Sequence, residues 1–529
     1  MLDGARTEHF ESMMMQRHLI TGSTFIAMAL GLAPFLILPQ CVDAQDASGD
    51  IAQISEVATA TGNVTSSTDN VIPMVEPRRT SCWGPPEAAK KPGSPYKGVF
   101  YDNDFRYVND PGYESTDWFD ALKGIEPVED LVIDVGGEYR LRFHDENNMR
   151  LNGRDENFTL HRTRLYTDVR YKKHFRAFAE FIDAASFGEE LPTRGIYVNR
   201  ADFLNLFGEV TLLDDESGTL TGRVGRQELM YGSQRLISPL DWANTRRTFD
   251  GAKLFWESDD WNMDGFWTRP VPFGQHVPDD NNFDNPDESQ QFYGVFSTYK
   301  GCEAQTFDLY YLGLQETNAP TTGISFDTHT IGGRWDGKYE NWLWEVEGGV
   351  QFGDFAGLDQ NAGFCTVGLG HKFADLPWTP TVHAFYDWAS GDSDPTDGER
   401  GTFNQLFPFG HFYMGFTDLV GRQNIGDTNF RLTLKPCDKA TLIMWWHIYR
   451  LDEARDALYN AGSGVVRSDP TGAAGTDVGN ELDLLLKVNV DQHADLLFGY
   501  SRLFAGDFIA RTGVGQDVDF FYTQFSYKF

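Results

Sequence analysis

The chain has 529 residues and a formal net charge of −34, with 14% aromatic residues and 53 glycines. That acidic balance argues against nucleic acid as a partner, because phosphate binding needs a basic face. A mean hydropathy of −0.41 is too polar for a bundle of membrane-spanning helices, whereas Trp, Tyr, Phe and Gly suit strands and turns.

At the N-terminus, Arg17 and His18 precede an uncharged run from Leu19 to Val42, and small residues follow at Val42-Asp43-Ala44. Residues 1–44 therefore read as a secretory signal peptide. About 20 apolar residues can also span a bilayer, but Pro34, Pro39 and the small-residue exit favour cleavage over an anchor. Residues 45–130 read as a periplasmic extension. Asp46 to about Thr80 is rich in Ser, Thr, Ala and Asn, a composition that stays disordered. Cys82 to Gly98 holds too many Pro and Gly residues for regular structure. "STDWFDALK", Ser115–Lys123, starts with helix-cap residues and predicts a short helix. It reads as a linker with one helical turn, in preference to a plug or a tether.

From Leu131 onward the pattern has period two. Val135, Tyr139, Leu141 and Phe143 alternate with Glu138, Arg140 and Arg142; Leu165, Val169 and Tyr171 alternate with Arg162, Arg164, Asp168 and Arg170. Trp342, Trp344, Val346 and Val350 oppose Glu345, Glu347 and Gln351. Leu482, Leu484, Leu486 and Val488 oppose Glu481, Asp483, Lys487 and Asn489. Alternation over about 8 to 11 residues specifies strands, and that length crosses a membrane when apolar residues face out and polar ones face in. Brief turns (Tyr171–His174, Glu257–Trp261) alternate with long acidic loops such as Gly274–Gln290, the asymmetry expected of a membrane barrel. Residues 131–529 hold about eighteen such candidates, so the fold class is all-β: a transmembrane antiparallel β-barrel with a disordered N-terminal extension. Trp445, Trp446, Tyr500 and Tyr527 are candidates for aromatic girdles at the membrane interfaces. The terminal "DFFYTQFSYKF" puts Phe521, Thr523, Phe525, Tyr527 and Phe529 on one face. A soluble edge this apolar invites aggregation, and closure against the first strand removes it. The strand ending in Phe529 resembles the signal read by the barrel-assembly machinery of outer membranes, which predicts that machinery, outer-membrane lipid and lipopolysaccharide as partners.

Charge is unevenly spread. Residues 131–250 hold 15 arginines and two lysines, Lys172 and Lys173, against 19 carboxylates, so this stretch carries 17 − 19 = −2 of the total −34. Within it, "GRQELMYGSQRLISPLDWANTRRTFDG", Gly225–Gly251, has four arginines and no lysine. That segment, continued by "DGFWTRPV" (Asp264–Val271), resembles the alginate-export family of outer-membrane porins. So do Ala384–Ile425, with "TFNQLFP" at its centre, "FTLHRTRLY" at Phe158–Tyr166, and Gly499–Ile509. The resemblance covers roughly Ile133 to Phe529. It implies an eighteen-stranded barrel in the outer membrane, narrowed by inward loops and lined by arginines, that passes an anionic polysaccharide without covalent chemistry. The long segment before the first strand departs from the family pattern and leaves room for periplasmic export partners.

Polyuronates carry a carboxylate on each sugar. Arginine stays charged and presents a planar fork that meets a carboxylate with two hydrogen bonds. The candidate pathway residues are Arg140, Arg142, Arg162 and Arg164, placed by strand parity, and Arg431 on the polar face of "NFRLTLK". Arg226, Arg235, Arg246 and Arg247, with Glu228 beside them, are placed by the family motif. The competing reading is that these arginines form ion-pair ladders that only brace the barrel. Phe403–Phe416 is apolar and irregular, as suits a loop folded into or over the pore. Asp392, Asp394, Asp397 and Glu399 do not match an EF-hand spacing and read as a solvated acidic loop. His383, His411 and His447 read as structural. The five cysteines, Cys41, Cys82, Cys302, Cys365 and Cys437, form no C-x-x-C pair, which leaves room for one disulfide at most and specifies no zinc site or redox motif. No metal, cofactor or enzymatic constellation is expected. The leading function is an outer-membrane channel exporting an alginate-like polyuronate; the alternative is a smaller-solute anion-selective porin.

Overall fold

Eighteen strands among the described residues close into one antiparallel barrel. The computed structural model describes residues 95–273, 283–317 and 323–529, all within one compact unit, Gln45–Phe529. The expectations for the signal peptide, for 46–80, for 82–94 and for most of the 274–290 loop lie outside the described residues. In chain order the first six strands are β1 Leu131–Asn147, β2 Asp155–Tyr171, β3 Phe175–Phe187, β4 Asn199–Asp215, β5 Gly218–Gln227 and β6 Thr248–Glu257. Then come β7 Trp261–Val271, β8 Gln290–Tyr299, β9 Gln305–Glu316, β10 Phe326–Tyr339, β11 Trp342–Phe355 and β12 Leu358–Lys372. The last six are β13 Thr381–Ala389, β14 Ile425–Cys437, β15 Ala440–Leu451, β16 Asp477–Asn489, β17 Ala494–Ala505 and β18 Val518–Lys528.

Each strand pairs with the next, and β18 closes on β1 from Glu138↔Lys528 to Asn147↔Asp519. The Phe529 N–H donates to Gly137 O at 3.0 Å, and the Gly137 N–H donates back at 2.9 Å. The seam therefore runs to the last residue and leaves no open edge, the condition for strands in a bilayer. Side-chain alternation gives the barrel two surfaces. Tyr139, Phe143, Leu165, Val224, Leu254, Val367 and Phe525 are exposed outward, whereas Arg140, Arg142, Arg162, Arg164, Glu345 and Glu481 are buried inward. Trp445 departs from the girdle expectation. It is inward and 2% exposed, and its indole N–H donates to Asn429 Oδ1 at 2.8 Å; Trp446 takes the outward register. "IMWWH" holds two adjacent tryptophans, and only one can face lipid.

Turns at one end are short, as at 172–174, 216–217 and 258–260, and the long loops are at the other. Two of these, 228–247 and 390–424, fold back inside. Leu229, Leu236, Ile237 and Trp242 from the first pack with Phe403, Phe409, Phe412 and Phe416 from the second, against wall residues such as Phe249, Phe292 and Leu485. Chains this rich in Phe and Leu gain about 25 cal/mol for each Å² withdrawn from water, and of the two positions expected for Phe403–Phe416, into or over the pore, the first is observed. The loops are joined by a parallel bridge, Ile237↔Phe407, with Ser238 N donating to Phe407 O at 2.9 Å and Phe407 N to Leu236 O at 2.9 Å.

Residues before β1 are more than a linker. Ile125–Val128 pairs with the start of β1, and Trp118–Leu122 is a 3-10 turn whose cap, Asp117, accepts from Phe119 N. Tyr96, Val99, Phe100, Tyr101, Phe105 and Tyr107 pack on Tyr166, Phe178 and Phe207 of the inner wall. Cys302 is disulfide-bonded, and Cys365 and Cys437 are free.

Candidate functional site

The inner face of β1 and β2 meets the 228–247 loop through guanidinium groups. Arg140 donates to Asp241 O at 2.7 Å and to Ala243 O at 3.2 Å. Arg162 holds the Glu138 carboxylate at 2.6 Å and the Asp241 carboxylate at 2.7 Å. Arg246 joins the same Asp241 carboxylate and pairs with Glu228 at 2.5 Å. One loop carboxylate thus serves three arginines, the third being Arg140 at 3.9 Å. Burial alone would push the Asp241 carboxyl up, but Arg162, Arg246, Arg140 and Arg164 together hold it well below the usual carboxylate range.

Arg142 differs from its neighbours. It donates to neutral acceptors, Gln524 Oε1 at 2.8 Å and Trp242 O at 2.8 Å, with its guanidinium 3.8 Å above the Trp242 ring. His411 stacks on the same indole at 3.6 Å. Asp418 ties the pair, accepting from Trp242 Nε1 at 2.8 Å and lying 3.1 Å from His411 Nδ1. Burial, aided by Arg142, lowers the His411 pKa despite Asp418, so the ring is neutral at pH 7 and packs as an aromatic.

Arg164 pairs with Glu180 at 2.6 Å, and Asn205 bridges Glu180 to Glu228 with contacts of 2.8 and 3.0 Å. Arg235 pairs with Glu345 and, at 3.4 Å, with Glu347, while its guanidinium lies 4.2 Å above the Tyr413 ring. Arg247 donates to Phe407 O at 2.6 Å and Ser238 O at 3.1 Å, fastening the two loops. Burial lowers its pKa to about 9. Arg431 lies between the Phe385 and Trp445 rings, at 5.3 and 4.8 Å.

Nine of the ten sequence candidates therefore stand inside the barrel, and Arg226 does not. It is opposite Leu206 and Asp250, in the outward register of β5 that also holds the exposed Val224. There it pairs with Asp202 at 3.1 Å and Asp250 at 2.8 Å. The inward arginine of that strand is Arg223, 1% exposed, whose Nε donates to Glu209 at 2.6 Å. Parity could have found it, since Arg223 alternates with Leu220, Gly222 and Val224.

The segment before β1 reaches the same groups. Arg164 lies 3.9 Å above the Phe100 ring and Arg223 lies 4.3 Å above the Tyr101 ring. Arg246 donates to Gly98 O at 3.1 Å, Arg176 to Tyr101 O at 2.6 Å, and Tyr101 Oη donates to Glu228 O at 2.7 Å. Lys123 anchors the outer end, donating to Val135 O at 2.5 Å, with its ammonium 4.5 Å from the Phe105 ring centre. Burial lowers its pKa to about 8 against the pull of Asp134, Asp117 and Asp120.

A pH optimum for docking of this segment follows. An undocked lysine keeps its proton to about pH 10.4, so between about 8 and 10.4 the undocked form binds more protons and docking strengthens as pH rises. Burial also raises the tyrosines of the segment, Tyr113 to about 12 and Tyr96 and Tyr107 in the same direction. Above about pH 10 the undocked tyrosines ionise first, and docking weakens. Cleavage by trypsin at Lys97 and Arg106, normalised to a free peptide of the same sequence, is expected to be slowest near pH 9–10. A rate that falls monotonically toward pH 7 would contradict this.

A family model described as alginate export matches residues 132–522. No curated protein matches the sequence. Among solved structures, three Pseudomonas aeruginosa barrels superpose with TM-scores of 0.51. OccK8 (OprE) is 12% identical, covering 75% of this chain and 98% of its own. OpdO is 11% identical, with 76% and 98% covered. OpdL is 12% identical, with 76% and 99% covered. Identity this low speaks to the fold alone.

Proposed function

The chain belongs to the alginate-export family, and from that membership we propose that it is a channel exporting an alginate-like polyuronate, or its oligosaccharides, along the inward arginines. It is an outer-membrane β-barrel. The observation that carries the reading is the convergence of Arg140, Arg142 and Arg162 on one inward loop that itself carries Arg246, with Arg142 matched only by neutral hydrogen-bond acceptors.

The physical chemistry is carboxylate exchange. Each sugar carboxylate of the polymer can take the place of an internal one, such as Asp241 at Arg162, and keep the number of charge-assisted hydrogen bonds constant. Exchange avoids a deep well, and conduction needs binding weak enough for release. Arg142 supplies the step that is net attractive, because no internal carboxylate must leave. Nothing in this scheme makes or breaks a covalent bond.

The test is planar-bilayer conductance in a KCl gradient, followed by addition of oligouronate. Anion selectivity with block by oligouronate and not by a neutral glucan of equal length is the expected result. High anion conductance without polymer block would favour the small-solute porin, and cation selectivity would remove the arginine pathway.

A further inference from the structure

The segment before β1 enters the barrel from the short-turn end and leaves again. Its outer limb stays near the turn between β16 and β17, where Tyr96 and Phe119 pack on His493 at 5.4 and 5.2 Å. Its tip, Val99–Tyr101, reaches the middle of β2 to β5, where Phe100 and Tyr101 are 2% and 3% exposed. The tip covers arginines that retain unused donors: Nη2 of Arg164 and Nη1 of Arg223 are buried with no hydrogen-bond partner among the described residues. The family match starts at residue 132, so the hook precedes the part of the chain that the family defines.

We propose that residues 95–124 are a displaceable internal gate, a tethered occupant of the guanidinium face that yields to the polyanion. This rests on the channel reading above. The hook meets Arg164 and Arg223 with aromatic faces, and Arg176 and Arg246 with the neutral carbonyls of Tyr101 and Gly98. A carboxylate brings an opposite charge and can accept two parallel N–H bonds from one guanidinium, which a carbonyl cannot, and it can also engage the spare N–H groups. The free polymer therefore outcompetes the hook, while the covalent tether, which gives the hook a high effective concentration, returns it once the polymer has passed. Gly124, in the left-handed region at φ 59°, is the pivot. A side chain there would be strained and would meet Asn109. The strand pair Ile125–Val128 with β1 stays in place as the hook swings.

The experiment compares the full chain with Phe100→Ala/Tyr101→Ala and with a variant lacking residues 95–109, in planar bilayers. The gate predicts that single-channel conductance rises on the order of twofold in the double variant, at least as much in the deletion, and that less oligouronate is needed for half-block. Wild-type current with unchanged current in both folded variants overturns the gate and leaves the channel standing. No current from any of the three overturns the channel reading, and the gate with it. A second measurement needs no variant. Oligouronate is expected to speed tryptic cleavage of wild type at Lys97 and Arg106 severalfold, and an unchanged rate would equally overturn the gate.

Discussion

Replacing Asp241 with alanine is expected to destabilise the docked 228–247 loop by about 3–5 kcal/mol, the cost of leaving buried charge without its partner. Arg162 and Arg246 lose a direct carboxylate, and Arg140 loses a nearby one. Arg162 and Arg246 keep Glu138 and Glu228, which sets the lower end of the range. Asp241→Asn preserves shape and one acceptor but not charge, so it should recover only part of the loss. Because the native carboxyl is held well below its usual range, its contribution is present above the unfolded value of about 3.9 and is lost only as pH falls through the folded one. Wild type at pH 4 should therefore keep a docked loop that Asp241→Ala has lost at pH 7. Protease sensitivity of residues 228–247, with barrel folding followed by heat-modifiable mobility, measures both. An equally protected loop in the alanine variant would contradict the shared-carboxylate arrangement.

Arg235→Ala should cost a similar 3–5 kcal/mol, at the opposite side of the lumen. Arg235 is buried between Glu345 and Glu347 of β11 and under the Tyr413 ring of the 390–424 loop. Glu345 keeps Arg334 at 3.1 Å, whereas Glu347 is left with Ser233 at 3.0 Å and Tyr310 at 3.3 Å. Arg235→Lys should not rescue it, because an ammonium cannot reproduce both the fork to Glu345 and the flat face under Tyr413. Arg235→Lys falling within 1 kcal/mol of wild type in thermal unfolding would show that charge alone matters there.

The barrel was legible because lipid and lumen impose opposite chemistry on alternate residues, as at Tyr139–Phe143 and Leu165–Tyr171. Arg140, Arg142, Arg162 and Arg164 followed from the same rule. Arg226 faces outward because it shares the parity of Val224; motif likeness alone places it inside, whereas alternation selects Arg223. Trp445 failed because an apolar residue is at home on either surface when loops fill the interior. Partner choice was not legible at all: that Asp241 serves three arginines, or that Phe100 covers Arg164, depends on loops and on an N-terminal hook whose paths have no periodicity to betray them.

The brace and the pathway are two uses of the same groups, and Arg142 separates them. It has neutral acceptors, so Arg142→Gln removes charge while breaking no pair with a carboxylate hydrogen-bond partner. The decisive measurement is oligouronate block of single channels in wild type and Arg142→Gln. The proposed pathway predicts folded channels of similar open conductance whose affinity for oligouronate falls about tenfold, the loss of one charge-assisted contact. Equal block in the two proteins would mean that the arginines hold the barrel together and guide nothing through it.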